Sequence, residues 1–192
     1  VYHLQHHPNL RALAANIRDW AGAGVKGYFG DGIQSGTGGS EMAELRAWLV
    51  AKPLWDPSLD PDGLIREFAD GYYGPAGKEI ALYLDTMHDA LEASGDWLAL
   101  DSPPDAHFLS IETLTAAWAH LRTAEASVSD DPALLPRLQV AQLPVLFVFL
   151  ARWDQLRDTA SWRGIEWPLP NSREAVLEQF MGVVKANGIT LD

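Results

Sequence analysis

Along this chain apolar residues recur at helical spacing, and only one short stretch reads as a good strand. Leu10, Leu13, Ile17 and Trp20 line one face of a predicted helix that Asn9 can cap and that Gly22 and Gly24 stop. Val25 to Phe29 is short, β-prone and bounded by glycines, which predicts the best strand of the chain. Val1 to Leu4 reads as the tail of another, broken by Pro8 and Asn9. The segment Gly30 to Gly39 is a polar loop with five glycines. Ser40 is the expected cap of a helix whose stripe is Met42, Leu45, Trp48 and Leu49, with Pro53 as its stop.

From Asp60 onward the pattern is helical throughout. Asp60-Pro61 is a cap with proline at the first helical position, ahead of a buried face of Leu64, Ile65, Phe68 and Tyr72. The next helix carries Ile80, Tyr83, Leu84, Met87 and Leu91, and Ser94-Gly95 ends it. Asp101 to Asp105, with its prolines, is the expected internal loop. A helix from about Ser110 carries Ile111, Leu114, Trp118 and Leu121. Asp131-Pro132 is expected to open a long helix reaching about Thr159 and kinked at Pro144. Trp162 to Pro170 reads as extended, and Asn171 or Ser172 as the cap of a last helix with Val176, Leu177, Phe180 and Val184. One βα unit and a half, followed by a bundle of about five helices, cannot close a sheet or a barrel. The 192 residues therefore read as the end of a longer protein.

Composition narrows the partners. A net charge of −12 argues against nucleic acid, which needs clustered Lys and Arg. The longest apolar run, Leu143 to Ala151, falls far short of the ~20 residues of a membrane span and reads as a buried helix. The chain has no cysteine, which excludes disulfides and thiolate metal sites. Its first residues are neither an initiator Met nor a signal peptide. Eight tryptophans fit a dense helical core or sugar-stacking surfaces.

The candidate chemistry centres on the glycine-rich loop. Gly30-Asp31-Gly32 follows a predicted strand, but Ser35 stands where a dinucleotide fingerprint has its third glycine, and an acid in the cradle repels phosphate. Asp31 reads either as a carboxylate that accepts sugar hydroxyls, with Tyr28 or Phe29 lining the pocket, or as a turn residue of a surface loop. His3, His6 and His7 lack the spacing of a metal site, so no metal and no cofactor is expected. Glu41 and Glu44 are explained as negative charges at a helix N-terminus. Asp70 and Asp85 read as solvated. No paired acids and no Gly-x-Ser-x-Gly are present, so catalytic residues stay unassigned. YYGPAG, Tyr72 to Gly77, reads as a structural corner.

Several of these stretches resemble one family. AELRAWLVAKPLWDP, IREFADGYYGPAG and the preceding GVKGYF are similar to the domain-of-unknown-function 4838 family of bacterial proteins, and RLQVAQLPVLFVFL resembles its helical tail. The resemblance is strongest from Gly24 to Leu91 and departs at Pro53, where an apolar residue is usual. It implies an exported glycoside-hydrolase-like protein, periplasmic or extracellular, with a (β/α)8 barrel followed by a helical domain. The implied fold is mainly α: the last one or two βα units of a barrel in residues 1–58, then a helical bundle in residues 59–192. Val1 to Leu4 would end strand seven, Val25 to Phe29 would be strand eight, and Ser40 to Lys52 the last barrel helix. By position, Tyr2, His3, Asp31 and Tyr28 would hold the sugar. The catalytic acids would lie on an earlier strand, in an N-terminal barrel portion on which this chain packs. The alternative is a helical structural or interaction module without catalysis.

Overall fold

The computed structural model describes residues 6–30, 41–99 and 102–189, and every regular element among them is helical. The first helix, α1 (Leu10–Gly22), buries Leu10, Ala14 and Ile17 and gives way at Gly24, which adopts φ +81°. Asn9 holds the N-cap position without capping: its side-chain oxygen accepts from Arg46 Nη1 instead. The N–H of Leu10 donates to His88 Nε2 at 3.1 Å, which ties the start of α1 to a helix 78 residues away.

Val25 to Phe29 does not form the expected strand. Residues 25–30 have no regular secondary structure, and all are exposed. β propensity expresses itself only where a neighbouring strand pairs the backbone groups, and no strand lies among the described residues. The expected strand at Val1 to Leu4, the loop carrying Asp31 and the cap at Ser40 lie outside the described residues.

The second helix, α2 (Ala43–Trp55), runs through Pro53 rather than stopping there. Pro53 sits in the last turn, where a missing N–H costs one hydrogen bond and the helix ends two residues later. Asp60 then caps α3 (Pro61–Tyr73) as expected, its Oδ2 accepting from the Gly63 N–H at 2.8 Å. The buried face of α3 also takes in Ala69 and Tyr73, while Phe68 and Tyr72 are half-buried. A single 3-10 turn, Gly74–Ala76, leads into α4 (Gly77–Ser94), which ends at a left-handed Gly95.

Ser110 caps α5 (Ile111–Ser127) through the Thr113 N–H, and α5 packs along α4. The long kinked helix expected beyond Asp131 is two helices, α6 (Leu135–Ala151) and α7 (Trp153–Arg163), meeting at 85°. The break falls at Arg152, not at Pro144, which is buried inside a continuing α6. The Arg152 guanidinium donates to the carbonyls of Leu109 (2.7 Å) and Pro104 (3.1 Å), so tertiary contacts fix the bend. Asp131 Oδ1 accepts from the Ala133 and Leu134 N–H groups, which makes a turn there and delays α6 to Leu135.

Helix α7 reaches Arg163, so the extended segment starts later than Trp162. Within it Trp167 packs edge-on against Phe149 and Trp153. Ser172 caps α8 (Arg173–Ala186), which buries Val176, Phe180, Val183 and Val184 and leaves Leu177 exposed. One hydrophobic core runs from Leu10 to Ile189. The apolar run of α6 lies at its centre, as its density requires.

Candidate functional site

The most concentrated buried charge lies at the start of α2. Glu41 and His6 are both buried, with His6 Nδ1 2.8 Å from Glu41 Oε1 and 3.0 Å from the Tyr83 hydroxyl. Arg46, the arginine of the AELR stretch, reaches back along α2 to pair with Glu41 Oε2. It also donates to the carbonyls of His7 (2.6 Å) and Glu41 (2.9 Å). Burial alone would raise the Glu41 carboxyl. The Arg46 charge and His6, with their hydrogen bonds, outweigh burial and hold it down at about 2. Glu41 is therefore an ionised carboxylate, with His6 against one oxygen and Arg46 on the other.

The expected role of Glu41 as a charge on the helix dipole is thus corrected. It is the anion of an internal network, whose partners come from the N-terminal segment, α2 and α4. The local signal for it is slight: a glutamate five residues before an arginine at a helix start.

Met42, between Glu41 and α2, has φ 50° and ψ 41°, the one non-glycine residue with positive φ among the described residues. That conformation costs about 1–2 kcal/mol. It turns Glu41 inward and opens a cleft of about 220 Å³ between the start of α2, the end of α3, α6 and the segment after α8. Glu41, Glu44, Tyr72, Tyr73, Arg137 and Asn187 supply its polar lining. Arg137 lies over the Tyr72 ring at 4.5 Å and donates to the Tyr72 carbonyl at 2.8 Å. Tyr73 is buried, and its hydroxyl reaches the Met42 sulfur at 3.6 Å. Burial first, then Tyr72, Glu44 and Glu41, push the Tyr73 phenol far up, so it stays protonated and can only be a neutral donor or acceptor. The YYGPAG corner thus does more than turn the chain: its tyrosines face a cleft.

Of the residues expected to hold a ligand, Tyr2, His3 and Asp31 lie outside the described residues. Tyr28 is described. It is exposed and stacks on Trp20, with centroids 5.7 Å apart and planes at 26°. The pair borders a groove of about 160 Å³ walled by Ile17, Val25, Pro53, Leu54 and Pro57. Among the described residues no three His, Asp or Glu side chains stand together to hold a metal ion.

The molecule is thus a helical protein with a buried ion network, a polar cleft and a separate aromatic groove. Residues 1–85 match the sequence model of the family described as a domain of unknown function (DUF4838), and this stretch holds GVKGYF, the AELR helix and the YYGPAG corner. The tail stretch RLQVAQLPVLFVFL lies beyond the match. No curated protein and no solved structure matches the chain.

Proposed function

We propose that this chain is the C-terminal portion of a carbohydrate-active, glycoside-hydrolase-like protein exported from a bacterial cell. In this reading residues 1–58 end a (β/α)8 barrel, and residues 59–192 form the helical domain behind it. The chain supplies one wall of a sugar-binding cleft and not the catalytic acids. The observation that carries this is the Trp20–Tyr28 stack at the mouth of an apolar groove, two residues before Gly30. Exposed aromatic rings offer flat apolar faces to the C–H side of a sugar, and a few nearby polar groups fix its orientation. Asp31, Tyr2 and His3 supply those polar groups. The motif resemblance and the match over residues 1–85 support the same assignment.

Phe29 and Trp55, 90% and 92% exposed, fit packing on the rest of the barrel, where Val25 to Phe29 gains the strand neighbours it lacks among the described residues. Trp97 and Trp162 are comparably exposed on the helical part, and they favour the second reading, an interaction module without catalysis.

The two are separated by assaying the full-length protein on aryl-glycosides and oligosaccharides beside Tyr28→Ala and Asp31→Ala variants. The sugar-wall reading expects KM to rise at least about tenfold in each with a smaller change in kcat. Turnover in both variants equal to the wild type, or no turnover and no sugar binding by any form, leaves the interaction module.

A further inference from the structure

The cleft beside Tyr73 shares no residue with the Trp20–Tyr28 groove and needs its own account. Its lining is polar but electrically balanced. The charge of Glu41 is met by Arg46, and the exposed Glu44 faces a cleft that also holds Arg137. An added anion would meet two carboxylates, and an added cation would meet Arg137 and the positive end of α2. Neutral groups that both donate and accept meet no such penalty, and hydroxyls are the simplest of these.

Tyr73 is the second observation. Its side chain is only 5% exposed, it lines the cleft, and its one hydrogen-bond partner among the described residues is a thioether sulfur, a weak acceptor. A buried phenol normally finds a strong partner, and one that lacks it is best satisfied by a molecule entering from the cleft. Size is the third constraint. At about 220 Å³ the space falls below the ~300 Å³ of most small-molecule pockets, which limits the guest to about one ring. Met42, Val140 and Ala141 give that ring an apolar wall.

We infer that this cleft is a binding site for a neutral, hydroxyl-rich small molecule the size of a single sugar ring. The inference does not rest on the sugar wall at Tyr28, because a protein that binds nothing there can still fill this cleft. Glu44 and the Tyr73 hydroxyl make the orienting hydrogen bonds, and Arg137 over Tyr72 closes the rim.

The test is calorimetric titration of the chain with glucose, N-acetylglucosamine and myo-inositol, with sodium phosphate and ethanolamine as charged probes. At least one neutral probe saturates the protein, and neither charged probe does. Tyr73→Phe and Glu44→Gln each weaken that binding about tenfold. Val140→Phe, which fills the cleft without touching its polar groups, abolishes it. Circular dichroism confirms that each variant keeps its helices. The inference is overturned if no neutral probe saturates, if a charged probe alone binds, or if folded Tyr73→Phe and Val140→Phe bind like the wild type. A loss confined to Tyr28→Ala also overturns it, since binding then belongs to the groove.

Discussion

His6 Nδ1 lies 2.8 Å from Glu41 Oε1, and neither side chain is more than 2% exposed. A carboxylate this deep stays ionised because Arg46 holds its other oxygen and His6 lies against the first. Since His6 also meets Tyr83, the pair ties the N-terminal segment to α2 and to α4. The start of α2 is thereby fixed in space, and the cleft with it.

Glu41→Gln should be among the most damaging single substitutions in the chain. It keeps the shape but leaves Arg46 and His6 facing a neutral amide, and breaking a buried pair from one side costs about 3–5 kcal/mol. Arg46 keeps some contact with water, so the lower end applies. Urea denaturation measures it. Tyr83→Phe, which removes one neutral hydrogen bond, should cost only about 1 kcal/mol. If the two variants lose equally little, the network is not a source of stability.

Acid should destabilise the fold in two stages. His88 donates through Nδ1 to the Leu84 carbonyl (2.7 Å) and accepts the Leu10 N–H at Nε2, an arrangement open only to the neutral ring. Burial, joined by the charges of His6 and Arg11, lowers its pKa from 6.5. As pH falls through 6.5 the unfolded chain takes the proton first, so stability drops below that value. His7, lowered by burial and by Arg46, adds to this stage. Glu41 gives the second: its stabilisation is complete above 4.5 and is lost as pH falls toward about 2. Urea midpoints at about pH 7.5, 5.5 and 3 resolve the two stages. His88→Gln, which still accepts but does not titrate, should shrink the first, and Glu41→Gln should erase the second.

The features legible in the sequence are the local ones. Asp60, Ser110 and Ser172 cap their helices three residues ahead, and α6 announces its burial by its own apolar run. What escaped depends on distant partners. Pro144 is the obvious kink, yet the bend sits at Arg152 because the carbonyls of Pro104 and Leu109, more than 40 residues away, hold its guanidinium. Glu41 reads as a dipole charge until folding brings His6 beside it. Tyr73 reads as part of a turn until α6 closes the cleft opposite. Val25 to Phe29 has the side chains of a strand and, among the described residues, no strand to pair with. Tyr28 stands out by its place beside a glycine-rich loop, but nothing local foretells its stacking on Trp20.

Arg152→Ala tests the bend. It removes the donors to two carbonyls at the entry to α5, at a cost of about 1.5–3 kcal/mol for hydrogen bonds to a charged group. Hydrogen exchange should quicken in α7 more than in the α4–α5 pair. Uniform quickening across all helices would mean that the 85° bend is held by packing alone.

The two glycines that bracket the tyrosine corner should respond to alanine with opposite signs. Gly71 is exposed on α3, and a Cβ there meets nothing within 4 Å. Gly71→Ala therefore gains helix propensity, about 0.5–1 kcal/mol. Gly77 begins α4 hard against the backbone of α3. A Cβ there would lie 2.7 Å from the backbone C and O of Ala69 and from Asp70 Oδ1. Backbone atoms cannot swing aside, so the helices must separate, and overpacking of this kind costs about 1–3 kcal/mol. Propensity alone predicts that both variants are more stable. Thermal melts decide between the two accounts: a lower melting temperature for Gly77→Ala beside a higher one for Gly71→Ala means that close approach of α3 and α4 governs the corner. A rise in both would leave the glycine at position 77 without a packing role.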